Sequence, residues 1–159
     1  MPARLQELVR AAGLPHTVVN AGVSGDTTAD AAARLDRALV ADASVLVIAL
    51  GANDGLRGVQ IATIRRNLET IIERAQSRQL KVLLCGMETL PNPGFEYALE
   101  FHRIYPDLAQ RYNVPLMPFL LVDVVGRPEL NLPDGWHPNA AGARIIARNI
   151  WTYLEPLLR

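Results

Sequence analysis

Apolar residues recur along this chain in two alternating rhythms. Short, nearly unbroken apolar runs are separated by stretches in which apolar positions return every three or four residues. Residues 4–12 (RLQELVRAA) put Leu5, Leu8 and Val9 on one face, as an amphipathic helix would, and Gly13 and Pro15 stop it. Thr17-Val18-Val19-Asn20 reads as a short strand. An Ala-rich helix follows Ser24-Gly25-Asp26-Thr27-Thr28 and runs to about Val40. Residues 44–50 (SVLVIAL) form a continuous apolar run, typical of a strand buried on both faces. Over 59–79, Ile61, Ile64, Leu68, Ile71, Ile72 and Ala75 keep helical spacing. Lys81–Cys85 (KVLLC) is the next buried strand, and 95–112 a helix with Tyr97, Phe101, Tyr105 and Leu108 inward. Val114-Pro115-Leu116-Met117 is a last short strand. The final helix, 139–158, buries Ile145, Ile146, Ile150 and Leu154.

Strands separated by helices imply an α/β fold with a parallel sheet covered on both faces. Such folds bind ligands outside the carboxyl ends of their strands. Three polar clusters fall at such ends: NAGVSGD (20–26), GANDG (51–55) and PDGWHPN (133–139). Their expected convergence on one edge of the sheet weighs more than any one of them.

Composition narrows the field. Sixteen basic residues balance sixteen acidic ones, so no excess charge argues for a nucleic-acid partner. The lone Cys85 excludes an intrachain disulfide and a multi-cysteine metal site. No apolar run reaches membrane-spanning length. The segment MPARLQELVR has neither the apolar core nor the cleavage site of a signal peptide, so the chain as given is expected to be cytoplasmic. A signal peptide upstream would make it periplasmic or secreted.

The chemistry is in the clusters. Asp134 and His137 are i and i+3 of a turn that Gly135 makes possible, which holds their α-carbons within about 7 Å. A carboxylate there can fix one imidazole nitrogen and leave the other as a base. The competing reading, a helix-capping loop, is about equally supported by this segment alone. Asn53 follows a buried strand, and its amide can donate to an oxyanion, although Asn, Asp and Gly are also ordinary turn residues. Gly25 lies at a strand-to-helix turn where a backbone N–H can approach a ligand closely. Thr27 and Asp30 stand in a capping-box relation there. Cys85 is better read as a small buried hydrophobe than as a nucleophile. His16 and His102 have no acidic partner at turn or metal-ligand spacing and read as structural or surface residues.

In this order and spacing, NAGVSGDTT, GANDG and DGWHPN closely resemble the second, third and fifth conserved blocks of the SGNH (GDSL-type) hydrolases. The nearest branch is the arylesterase, acyl-CoA thioesterase I and lysophospholipase group. The resemblance extends over NLETIIERAQ, PNPGFEYALEFHRIYPDLAQRYNVPL and PELNLPDGWHPNAAGARIIA. It implies a three-layer α/β/α sandwich with a five-stranded parallel sheet in flavodoxin-like order. It implies oxyanion donors at Gly25 and Asn53, and a catalytic pair at Asp134 and His137 that completes a Ser-His-Asp triad. No cofactor or metal is implied. The family's first block, Gly-Asp-Ser-Leu on the first strand, carries the nucleophile and has no counterpart here. Residues 1–159 are therefore expected to be a single, N-terminally truncated domain whose first strand is missing. Of the three serines, only Ser24 lies near the expected site, as a fallback nucleophile; Ser44 leads into a strand and Ser77 ends a helix.

The expected activity is hydrolysis of small-molecule acyl esters or thioesters. Leu56 and Arg57, with Pro93 and Tyr97 in the loop that Pro91, Pro93 and Gly94 mark, are expected to shape the acyl pocket. Trp136 either packs over the last helix or lines that pocket. The alternative is a non-catalytic or degraded α/β ligand-binding domain. Oligomeric state and acyl preference are not encoded legibly.

Overall fold

The computed structural model describes residues 1–90 and 93–159. Its helices are α1 (Pro2–Ala11), α2 (Thr28–Ala38), α3 (Ala52–Leu56), α4 (Ile61–Ser77), α5 (Phe95–Tyr112) and α6 (Ala140–Leu158), with a 3-10 turn at Pro128–Leu130. Its strands are β1 (Val45–Ile48), β2 (Lys81–Cys85) and β3 (Leu116–Met117). The chain divides into two compact units, one of residues 21–119 and one of residues 1–20 with 120–159.

The first unit is an α/β layer. Its three strands are parallel, in the order β1-β2-β3, with Val45 opposite Lys81 and Cys85 opposite Met117. Val82, Leu83, Leu84 and Cys85 of central β2 are buried, which is why that run carries no polar alternation. Val45, Leu46 and Val47 of β1, paired on one side only, are half-buried. Helix α4 lays Ile64, Leu68, Ile71, Ile72 and Ala75 against β2 and the neighbouring helices. Helix α5 adds Phe101, Ile104, Tyr105 and Leu108, while Tyr97, expected inward, is half-buried. Gly86 lets β2 leave the sheet beside β3, because a Cβ there would run into the carbonyl of Pro118.

In the second unit α1 packs on α6. Leu5 and Val9 are buried on α1, and Gly142, Ile146, Ala147, Ile150 and Leu154 on α6; Ile145 is half-buried. Asn139 caps α6, its Oδ1 accepting from the N–H groups of Ala141 (2.9 Å) and Gly142 (3.0 Å).

Thr17-Val18-Val19-Asn20 is not a strand, so the sheet has three strands among the described residues, one fewer than the four expected of a chain that lacks the family's first strand. Thr17, Val18 and Val19 are β-branched and suit a strand, but among the described residues no strand pairs with them. Instead the Val18 N–H donates to Gln6 Oε1 at 2.7 Å, and Val19 is exposed. The segment read as a turn at GANDG starts a helix, α3, too short to show a period.

Candidate active site

The turn before α6 is built around one carboxylate. Asp134 Oδ1 accepts from the backbone N–H of Trp136 (2.9 Å) and of His137 (3.0 Å). Its Oδ2 meets His137 Nδ1 at 2.7 Å. Gly135, at φ +76°, supplies the left-handed residue that the turn requires. The Leu132 N–H donates to the His137 carbonyl at 2.7 Å and closes the base of the loop. The contact expected from the i, i+3 spacing is therefore present, and the backbone holds it from both sides. The backbone N–H of His137, then that of Trp136, then the imidazole hold the Asp134 carboxyl down at about 2. A carboxylate on Nδ1 selects the tautomer that leaves Nε2 as acceptor, and Nε2 bonds to no described residue. Both side chains are open to solvent. Trp136 is 54% exposed, so it does not bury itself over α6.

In the sheet unit, Gly25 takes φ +86° in the turn before α2, and its N–H finds no partner among the described residues. The side chains around it are tightly tied. Asn53 Nδ2 donates to the Asp26 carbonyl at 2.9 Å, which occupies one of its two N–H groups. Arg34 Nε pairs with Asp26 Oδ2 at 2.7 Å, and Arg57 Nη2 reaches the Gly25 carbonyl at 3.3 Å. The capping box expected at Thr27 and Asp30 is formed, and it lowers the Asp30 pKa chiefly through the Thr27 N–H. Asn53 owes its position to α3. Gly51, at φ +113°, turns the chain out of β1 into that helix, where a Cβ would strike the Tyr105 hydroxyl.

Ser24 is exposed in the same turn, Ser44 is exposed ahead of β1, and Ser77 Oγ donates to the Arg74 carbonyl. None of the three serines makes a described hydrogen bond to a histidine. Cys85 is fully buried, and burial pushes its thiol up to about 12.

Pro93 and Tyr97 line one cavity of about 480 Å³ with Gly94, Phe95, Glu96 and Glu100. Tyr97 Oη also donates to the Val59 carbonyl at 2.7 Å, tying that cavity to the loop after α3. Leu56 and Arg57 are not among its lining residues. Leu56 is exposed, and Arg57 is turned to the Gly25 carbonyl. The Pro91 part of the loop expectation lies outside the described residues.

Sequence spacing missed two partners. His102 Nδ1 pairs with Glu88 Oε1 at 2.6 Å across 14 positions, so it does have an acidic partner, on another element. Asp54, read as turn filler, is buried and bonded to Thr28. Its signal was position: it follows Asn53 directly, in the first turn of a helix that leaves an apolar strand.

Comparison with known proteins places these features in a lineage. Residues 1–145 match the model of the GDSL-like Lipase/Acylhydrolase family. The chain is 40% identical over 157 residues to Esterase TesA of Pseudomonas aeruginosa, covering 98% of this chain and 78% of that one. It is 36% identical over 143 residues to Thioesterase 1/protease 1/lysophospholipase L1 of Escherichia coli K12, covering 89% and 69%. Among solved structures, that of TesA superposes with a TM-score of 0.92 at 39% identity, covering 99% of this chain and 88% of the other. AlinE4, an SGNH-hydrolase family esterase, gives a TM-score of 0.79 at 38% identity, covering 99% and 85%. A match over so much of the chain, joined to a fold shared at this level, is decisive: the chain belongs to the GDSL-like lipase/acylhydrolase family.

Proposed function

We propose that the protein hydrolyses small acyl esters or thioesters by a Ser-His-Asp mechanism. A serine Oγ attacks the carbonyl carbon while His137 Nε2 takes its proton. Asp134 keeps Nδ1 protonated and pointed, and stabilises the imidazolium that forms. The Gly25 N–H and the second N–H of Asn53 donate to the oxyanion of the tetrahedral intermediate. Collapse breaks the bond to the leaving alkoxide or thiolate, which receives the proton from Nε2. Water then repeats the sequence on the acyl-enzyme and regenerates the serine. The observation that carries the reading is the Asp134–His137 pair, held at 2.7 Å with the second imidazole nitrogen unused. The esterase and thioesterase names of the relatives support the substrate class.

The scheme needs a serine nucleophile. We assign it to a Gly-Asp-Ser-Leu segment preceding residue 1, with Ser24 as the fallback. The test is hydrolysis of p-nitrophenyl acetate and butyrate by the 159-residue chain and by a chain extended at its N-terminus. Each is measured with Ser24→Ala and His137→Ala. The expected result is strong activity only in the extended chain, insensitive to Ser24→Ala and reduced by several powers of ten in His137→Ala. Full activity in residues 1–159, abolished by Ser24→Ala, makes Ser24 the nucleophile. No hydrolysis in either form refutes the hydrolase and leaves a ligand-binding domain.

A further inference from the structure

The proposed reaction leaves one buried acid unused. Asp54 is 1% exposed and Thr28 fully buried. Asp54 Oδ2 accepts from the Thr28 N–H at 2.9 Å, and Oδ1 from the Thr28 hydroxyl at 2.6 Å. Thr28 Oγ1 in turn accepts from Asn67 Nδ2 of α4 at 3.0 Å. A carboxylate is costly to bury and is retained where hydrogen bonds use both oxygens, as here.

Capping of α2 explains only part of this arrangement. The Thr27–Asp30 box satisfies the N–H groups of Thr27 and Asp30, and Asp54 Oδ2 takes that of Thr28, but the bond from the Thr28 hydroxyl to Oδ1 and its link to Asn67 lie beyond what the helix start requires. What Asp54 adds is a second cross-tie between two segments. Asn53 bonds the Asp26 carbonyl, and one residue further along Asp54 bonds Thr28, two residues past Asp26. The two bonds run side by side and fix 26–28 against 53–54. Helix α3 has five residues and cannot hold a side chain in place by its own stability. Gly25 and Asn53 sit at the outer ends of these ties. Oxyanion donors act only when held to about 0.5 Å.

We propose that Asp54 is the positioning residue of the oxyanion site, setting the separation of the Gly25 N–H and the Asn53 amide through Thr28. This rests on the roles given to Gly25 and Asn53 above. The test uses Asp54→Asn, Thr28→Val and Thr28→Ser in the full 15N-labelled chain, with Ile71→Val as a core control. The readouts are the backbone amide resonance of Gly25 and the side-chain amide resonance of Asn53. Melting temperature is followed in parallel, with kcat and KM for p-nitrophenyl butyrate in the hydrolysing form.

Both resonances should move in Asp54→Asn and Thr28→Val and return in Thr28→Ser. The value of kcat should fall about 10–100-fold, part of the loss from removing a donor outright, with KM changed less than about twofold. The double variant Asp54→Asn/Thr28→Val should be no worse than either single, because the two act through one contact. Unmoved resonances in folded variants overturn the proposal, as does a kcat that follows melting temperature along the same line as Ile71→Val. If Asp54→Asn does not fold, the Val and Ser variants at position 28 decide. If no form hydrolyses the ester, the hydrolase reading and the contribution of Asp54 to turnover fall together, while the resonances alone decide whether Asp54 sets the donors.

Discussion

Asp134 shows how much a single residue can organise. Three donors from two neighbouring residues converge on its carboxylate, which therefore stays ionised far below the usual range. The direction of the pH effect follows. A depressed folded pKa gives a contribution that is present above the unfolded value of about 3.9 and is lost as pH falls through the folded value. The turn should thus be intact at pH 5 and open between about pH 4 and pH 2. In a 13C titration, the Asp134 carboxyl should show a midpoint near 2, and the Trp136 and His137 amides should move with it. A midpoint near 4 would mean that the bonds do not hold in solution. Loss of hydrolysis on the acid side above pH 3 then belongs to another group. This pair was legible in the sequence because a turn makes i and i+3 neighbours whatever surrounds them. The Glu88–His102 pair was not, because its members meet only through the packing of α5 beside the end of β2.

Elements were legible in proportion to their length. Helices α4, α5 and α6 each run long enough to repeat their apolar face several times, so the period shows. Strand β2 was legible because a strand buried on both faces is apolar throughout. Helix α3 has one turn and no period. The β-branched run at 17–19 is a local preference that needs a partner strand to become structure, and the described residues offer none. The start of α6 allows two competing magnitudes to be compared. Helix propensity alone would favour Gly142→Ala by about 1 kcal/mol. A Cβ at that position, however, meets the Leu130 carbonyl, Pro138 and Val124, and forcing such a contact costs about 1–3 kcal/mol. Gly142→Ala is therefore expected to lower the melting temperature despite its better propensity. Asn139→Ala should cost about 1 kcal/mol through the lost cap, measured by urea unfolding. A stabilised Gly142→Ala protein would show that the loop yields freely.

At the scale of the whole chain, the two units differ in how the sequence builds them. Residues 21–119 are continuous, whereas the other unit joins 1–20 to 120–159. That discontinuity has a consequence in time. Helix α1 buries Leu5 and Val9 against α6, which begins at Ala140. During synthesis at about 5–20 residues per second, α1 waits on the order of ten seconds or more for its partner to be made. Closing so long a loop also costs entropy before the contact rewards it. In pulse-labelled hydrogen exchange during refolding, amides of β2 and α4 should gain protection before those of α1 and α6. Simultaneous protection would mean that the two units fold as one. Until α6 emerges, the apolar face of α1 is open to chaperones and to the exposed faces of neighbouring chains, so the yield of native protein is set by the order in which the ribosome delivers the two halves of one helix pair.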